Sequence, residues 1–569
     1  MSDIEKHLNA LCIRRQKMTE YIMEQDIQED ATGEGAVLRL VRGEEIEKAN
    51  AGLMRAARWF IPPCPLKARD PQGECDFAAL KLIRALYMAE EHLYPETLAQ
   101  IKDFFFRHNF ESKYKSENHM LLFHVSRYLL AQKYPDEQFP VYGKNGRGLL
   151  EEDLCFVKDF LQFRARRGWA EFDSYGYMGE DIRALLTLYD FAAETELHDL
   201  AEMSLNQLLL DMLADCMGPL YCGAHGRIYT GAALDQMGSR MFSVYWFYFG
   251  HLYEEAAKKH TVMELCLSEF VPASYVYDVL EQKPDTYENF ESCHLHCIST
   301  EIPHKQVPQV EGSINKYTYI TPHYAMGAVN FQDPYPADSD AKWYAHHQQH
   351  EWELTFPGGT DIKIFTHHPG SFGTEGEEHG YWTGDLGCCC GQFYCEKNLL
   401  LATYDIPDGQ QMLINACVPL SYFEHRREGN YLFLNRRGVY VSLWFSNGYE
   451  RAKDGTYIER ELRSYGRRHA VICEVGLETE YGGFSSFIKA ITEKEIHFDE
   501  AEMLLAYDKF QIAHGVRKRE GKDISFPYPT FSSPFLYEAV GSGVIQVHTA
   551  QAEIEMDFNR IAIKSIKNK

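Results

Sequence analysis

The chain has 569 residues, of which 45% are hydrophobic and 25% charged, and its formal net charge is -26. That length can bury large cores and accommodates two or more domains. The acidic balance argues against a polyanion-binding surface, so no nucleic acid partner is expected, while a small anionic substrate in a local basic pocket stays compatible with it. No apolar run reaches the ~18 residues of a membrane span.

The N-terminal MSDIEKHLNALCIRRQKM has no apolar core of a secretion signal and reads as a polar helix. The 15 cysteines are odd in number and irregularly spaced, so most are expected to be reduced thiols and the location cytoplasmic. From about residue 40 to 270 the pattern is helical. EEIEKANAGLMRAARWF, DFAALKLIRALYMAEEHL, ENHMLLFHVSRYLLAQKY and LLEEDLCFVKDFLQFRARR each repeat apolar residues at helical spacing. DIRALLTLYDFAAE, HDLAEMSLNQLLLDMLADCM and the very apolar SRMFSVYWFYFGHLYEEAAKKH continue the series. So many helices on short loops exceed a four-helix bundle and predict a curved helical-hairpin array or toroid. After about residue 300 the runs become short and β-rich, as in SINKYTYITPHYAMGAV, HEWELTF, DIKIFTHH, QMLINACVPL, NYLFLNRRGVYVSLWF and VIQVHTAQAEIEMDF, separated by PGG, PDG, REGN and RRG turns. The predicted class is therefore α+β and multidomain. It comprises a helical domain over 1–275, a connector over 276–300 and an antiparallel β domain over 301–569.

Four stretches of the helical domain place reactive side chains at loops or helix starts, where ends of an array can line one rim. SENHMLL offers Ser116 as a helix cap, then Asn118 and His119. GWAEFDSYGYMGED offers Trp169, Glu171, Asp173, Tyr175 and Tyr177. YCGAHGRIYTG supplies His225, Arg227 and Tyr229, and DQMGSRMF supplies Arg240. Asn, His, Arg and Tyr together suit removal of a proton α to a carboxylate: cationic and amide donors neutralise the carboxylate and lower the cost of the enolate-like intermediate, while His or Tyr carries protons. In a uronic acid this is β-elimination, which breaks the C4–O bond without water.

A helical domain followed by an antiparallel β domain, with SENH, EFDSYGY and HGRIY, resembles the polysaccharide lyases of the (α/α)-toroid plus β-sandwich class, which includes alginate, hyaluronan and heparinase II/III-type lyases. The resemblance implies Asn118 as carboxylate neutraliser, His119 or His225 as base, Tyr175 or Tyr229 as acid and base, and Arg227 as a substrate contact. Arg240, Trp169 and Glu171 join the substrate-binding set. It implies an anionic oligosaccharide substrate and requires no cofactor. In the same fold, loops of the β domain lean over the cleft, which nominates His323, Tyr324, His367 and Trp382 as further substrate contacts.

Two metal readings compete. His346 and His350 are four apart, yet the alternation around them favours a strand, on which they would not converge. In GDLGCCCGQFYC, the run Cys388, Cys389 and Cys390 resembles the cysteine nucleophile and zinc ligands of β-L-arabinofuranosidase-type glycosidases, without their Pro-rich continuation. Incidental thiols are the expected reading, with a structural zinc or calcium ion left open. The rivals to the lyase are a glycoside hydrolase on similar architecture, using Glu171 and Asp173 or the cysteines, and a carbohydrate-binding protein without activity.

Overall fold

The computed structural model of the chain describes residues 3–27, 33–59, 75–107, 116–260, 262–293, 314–331, 350–369, 381–382, 390–513 and 515–567. Helices occupy the N-terminal part as far as Ser274–Gln282, and sheets dominate from Tyr287–Cys293 onward. The chain is thus α+β, with a helical region followed by a sheet-rich one.

Helix Glu117–Lys133 is buried nearly all round, from Asn118 through Phe123 and Tyr128 to Ala131. Such a helix must be covered by others on more than one side. It packs on Asp76–Met88, Gly146–Arg167 and Tyr177–Phe191. Gly146–Arg167 instead buries a stripe with Leu149, Phe156, Val157 and Phe160, and exposes Glu151, Cys155 and Asp159. The inner helices form a series of neighbours. Glu34–Arg42 packs on Asp76–Met88, that on Glu117–Lys133, and that on Tyr177–Phe191. Met263–Leu267 touches both Tyr177–Phe191 and Glu34–Arg42.

The apolar run 239–260, expected as one helix, is broken in the structure. Arg240–Phe249 ends at Gly250, whose φ of 79° is open to glycine, and Glu254–Ala257 is a separate short helix. Arg14 donates to the carbonyls of Phe247 and Tyr248 at 2.7 and 2.9 Å, so the exposed helix end is satisfied from outside.

Among the described residues the sheets are antiparallel and the largest has thirteen strands. Tyr287–Cys293, inside the stretch read as a connector, lies in the interior of that sheet between Ile314–Ile320 and Phe531–Ser532. The run LLLATYD in strand Leu399–Asp405 is apolar on both faces for a reason. Leu400, Ala402 and Tyr404 enter the main core, while Leu399 and Leu401 enter a second core shared with Leu505 and Tyr507 of a five-stranded sheet. The described cysteines are free thiols.

Main chain joins the helical and sheet regions at several places, among them a seam beside the loop 221–231. His225 and His350 exchange N–H to O bonds of 2.9 and 2.8 Å. Gly223 (φ 92°) lies so close to strand Ala325–Phe331 that a Cβ built on Gly327 would come within 2.9 Å of the Gly223 Cα. The loop 221–231 is thereby laid directly on the sheet.

Candidate functional site

Two loops build the site, and buried charge holds the first. Glu117, at the start of its helix, accepts from the Ala170 N–H at 3.0 Å, from the Glu171 N–H at 2.5 Å and from Arg164 at 2.9 Å. Burial pushes its carboxyl up to about 7, against the pull of Arg164. Ser116 takes the cap position, but its hydroxyl accepts from the Asn118 side chain at 3.1 Å instead of capping a backbone N–H. Asp173 and Arg227 have φ of 48° and 47°, a left-handed backbone that non-glycine residues seldom hold. The surroundings impose it: Gly226 N–H donates to the Phe172 carbonyl at 2.7 Å, Ser174 Oγ donates to the Arg227 carbonyl at 2.9 Å, and Met241 N–H donates to Tyr175 at 3.1 Å.

Around these loops opens a cavity of about 730 Å³. Tyr175, Arg227, Tyr229 and Arg240 line it together with Lys259 and His260. A chain of hydrogen bonds runs to its wall from the interior. Asn118 donates to Glu171 at 2.5 Å, and Arg227 donates to the other Glu171 oxygen at 2.5 Å. The second Arg227 terminal nitrogen donates to the Tyr177 hydroxyl at 3.1 Å, with the guanidinium 4.1 Å from that ring's centroid. The hydroxyls of Tyr177 and Tyr229 are bonded to each other. Burial works against the Arg227 charge, but Glu171 and the two phenols hold the guanidinium above its ordinary range. Burial raises Tyr177, with Arg227 opposing, so Tyr177 stays protonated. Since its oxygen already accepts from Arg227, its one proton is free to point at Tyr229.

Asn118 and His119 do not line the cavity. Asn118 backs Glu171, and His119 is bonded through Nδ1 to buried Asp76 at 2.6 Å. Tyr175 contributes to the wall with its hydroxyl turned inward, donating to the Tyr221 carbonyl at 2.8 Å and accepting from Lys363 at 3.0 Å. His225 is fully buried, with Nδ1 2.9 Å from the Asp173 carbonyl, and burial drives its ring well below the usual histidine range, so it is neutral. Trp169 packs against Phe160 in the core. His350 bonds to Glu353 at 3.0 Å and His367 to Glu351 at 2.7 Å, both buried. Trp382 is enclosed by Phe365, Tyr381 and Tyr457, and Tyr324 is likewise buried. His323 is exposed in the turn after Ile314–Ile320 and away from the cavity lining. His346, Cys388 and Cys389 lie outside the described residues, and Cys390 is half-buried just before strand Gly391–Glu396.

Behind the loops lies an acidic cluster that periodicity did not signal. Asp173, Asp211, Asp215 and Glu291 bring carboxylate oxygens within 4.8 Å of one another, a spacing that could hold a metal ion. Lys316 lies among them, bonded to Asp173, to Asp215 at 2.7 Å and to Glu291 at 2.6 Å, so its ammonium stands where a cation would sit. Burial pushes Asp173 up to about 6, with Lys316 opposing and Asp215 reinforcing. Lys259 and His260 were read only as the end of a helix, and their place on the cavity follows from the break at Gly250.

No known family profile matches the sequence, and no curated protein matches it. Among solved structures the fold is similar to that of the heparan sulfate lyase HepC from Pedobacter heparinus, at 11% identity, over 87% of this chain and 82% of that one, with a TM-score of 0.34. A likeness that distant assigns neither activity nor residues.

Proposed function

We propose that the chain is a carbohydrate-active lyase that cleaves a uronic-acid-containing oligosaccharide by β-elimination on a toroid-like helical domain. The observation that carries this reading is the cavity wall on which Tyr229 is bonded to Tyr177, itself held by the largely buried cation Arg227. The succession of inner helices in contact supports the toroid.

In this reading a uronate carboxylate lies against the wall of Arg227, Tyr177 and Tyr229, whose positive charge lowers the energy of the carbanion formed at C5. The Tyr229 oxygen, as phenolate, takes the C5 proton, with the Tyr177 hydroxyl donating to it. The C5 electron pair forms the C4=C5 double bond as the C4–O4 bond breaks, and the Tyr229 hydroxyl returns its proton to O4. Asn118 and Glu171 act as positioning residues for Arg227. The assay is ultraviolet absorbance of the unsaturated uronate after incubation with glucuronate-, galacturonate- and iduronate-containing oligosaccharides. Cleavage with no rise in absorbance overturns the lyase. It favours hydrolysis by Asp26 and Glu34, two carboxylates on the same cavity.

A further inference from the structure

The cavity has a second basic wall that the elimination chemistry leaves unused. Arg240 begins helix Arg240–Phe249, while Lys259 and His260 follow the short helix Glu254–Ala257. All three line the cavity. Burial lowers the His260 ring below the ordinary histidine range, and the charges of Arg240 and Lys259 lower it further.

This gathering is unusual in a chain with 83 acidic residues against 57 Lys and Arg. Among the described residues, no hydrogen bond or ion pair engages the side chain of Lys259 or His260, the Lys259 N–H alone donating to the Ala256 carbonyl at 3.1 Å. The acids that line the cavity are Asp26 and Glu34, and Glu34 is paired with Lys81 at 3.0 Å. Arg240 gives one terminal nitrogen to Glu180, which also binds Arg183 at 2.6 Å. Its side chain remains 31% exposed, leaving other N–H donors toward the cavity. Like charges drawn together repel, and an anion between them removes that repulsion.

The Arg240 stem is also placed in advance. It lies across Gly179 in helix Tyr177–Phe191, where a Cβ would come within 2.6 Å of the Arg240 Cδ. Glycine inside a helix costs about 0.5–1 kcal/mol relative to alanine. Here it leaves the space that the arginine needs.

We propose that Arg240, Lys259 and His260 form a second anion subsite, taking an acidic group, carboxylate or sulfate ester, on the sugar next to the one that reacts. The sugar rests on the lyase reading; the anion site does not. The substrate class narrows accordingly to oligosaccharides with acidic groups on neighbouring residues, in which the first anion meets the Tyr229 wall and the second this one.

The test is thermal melting of the full chain in low inorganic sulfate against chloride at equal ionic strength. Sulfate should raise the parent's melting temperature with a saturable profile. The half-saturating concentration should rise at least about tenfold in Lys259→Ala/His260→Ala, a loss of about 1.4 kcal/mol of binding. Gly179→Ala should weaken binding similarly by displacing Arg240, and Tyr229→Phe should leave it unchanged. Equal stabilisation of the parent and Lys259→Ala/His260→Ala overturns the subsite, since a general salting effect does not depend on these side chains; so does a parent that sulfate protects no better than chloride. A sulfated uronate oligosaccharide and its desulfated counterpart then identify the group: protection by both assigns the carboxylate, and by the sulfated one alone the ester. Sulfate binding at this wall without cleavage of any uronate oligosaccharide overturns the lyase and leaves the subsite standing.

Discussion

Arg227 and Glu171 form an ion pair at 2.5 Å in which the carboxylate side chain is 1% exposed and the guanidinium side chain 12%. A pair so deeply placed has lost most of its hydration, and each charge depends on the other. Arg227 was expected to meet substrate directly. In the structure two of its nitrogens are committed, one to Glu171 and one to Tyr177, and it lines the cavity.

Glu171→Ala should therefore destabilise the protein by roughly 3–5 kcal/mol, because it strands a buried guanidinium and removes the partner of Asn118. Glu171→Gln combined with Arg227→Met should recover much of that loss while abolishing activity. Chemical denaturation of the three proteins checks both statements. A double variant no more stable than Glu171→Ala contradicts them.

Tyr229→Phe should lower turnover by at least about 10²-fold with an unchanged melting temperature, since the ring remains and only the proton carrier goes. Tyr177→Phe should cost less, because it removes a hydrogen bond to Tyr229 and leaves the Tyr229 oxygen in place. Initial rates from ultraviolet absorbance beside thermal melts decide this. An inactive Tyr177→Phe with a fully active Tyr229→Phe would reverse the assignment.

Lys316→Met should be strongly destabilising near neutral pH, as it leaves Asp173, Asp211, Asp215 and Glu291 facing one another without a cation. Asp173 already titrates at about 6 against an ordinary 3.8, so the folded state holds its proton to higher pH than the unfolded chain. Stability tied to a carboxyl raised in this way falls as pH rises between those two values. The deficit of Lys316→Met should thus shrink as pH falls from about 7 toward 4, where the acids neutralise themselves. Melting curves across that range test it.

Glu353 behaves oppositely. Burial alone would raise it, but Lys363 at 2.8 Å and His350 hold it down to about 2 against an ordinary 4.5. Its contribution is complete above 4.5 and is lost as pH falls toward 2. Glu353→Gln should be less stable than the parent at neutral pH, and the gap should close through that acidic window. A gap that stays constant with pH would show that the carboxylate charge is not what stabilises the Lys363 and Tyr175 contacts.

Much of this was legible from residue patterns. Helical spacing located Glu117–Lys133 and Tyr177–Phe191, and alternation with turn signals located Tyr431–Arg436 and Val439–Phe445. The loops 168–176 and 221–231 stood out because reactive side chains there serve no periodic face. Patterns cannot tell which way a side chain turns. Tyr175 and Tyr177 are two residues apart, yet one hydroxyl is turned inward to Tyr221 while the other is bonded to Tyr229 at the cavity. Asn118 and His119 stand at a helix start, as expected, but Glu171 and Asp76 engage them from behind. Long-range charge was the least legible. Nothing near Lys316 in the chain announces Asp173 and Asp215, which sheet and helix bring together across more than a hundred positions.

The contact between Gly223 and strand Ala325–Phe331, with the His225–His350 bridge beside it, bears on how the chain can be divided. The loop carrying Arg227 and Tyr229 rests on the sheet closely, through main chain at His225 and glycine at Gly223, with Ala224 packed against Ile314 and Val329. The helical region excised at Gln282 would keep its inner helices but lose the surface that shapes this loop. It should lose the cavity, and a foreign β domain grafted in place of the native one should restore the fold of the helices before it restores the cavity.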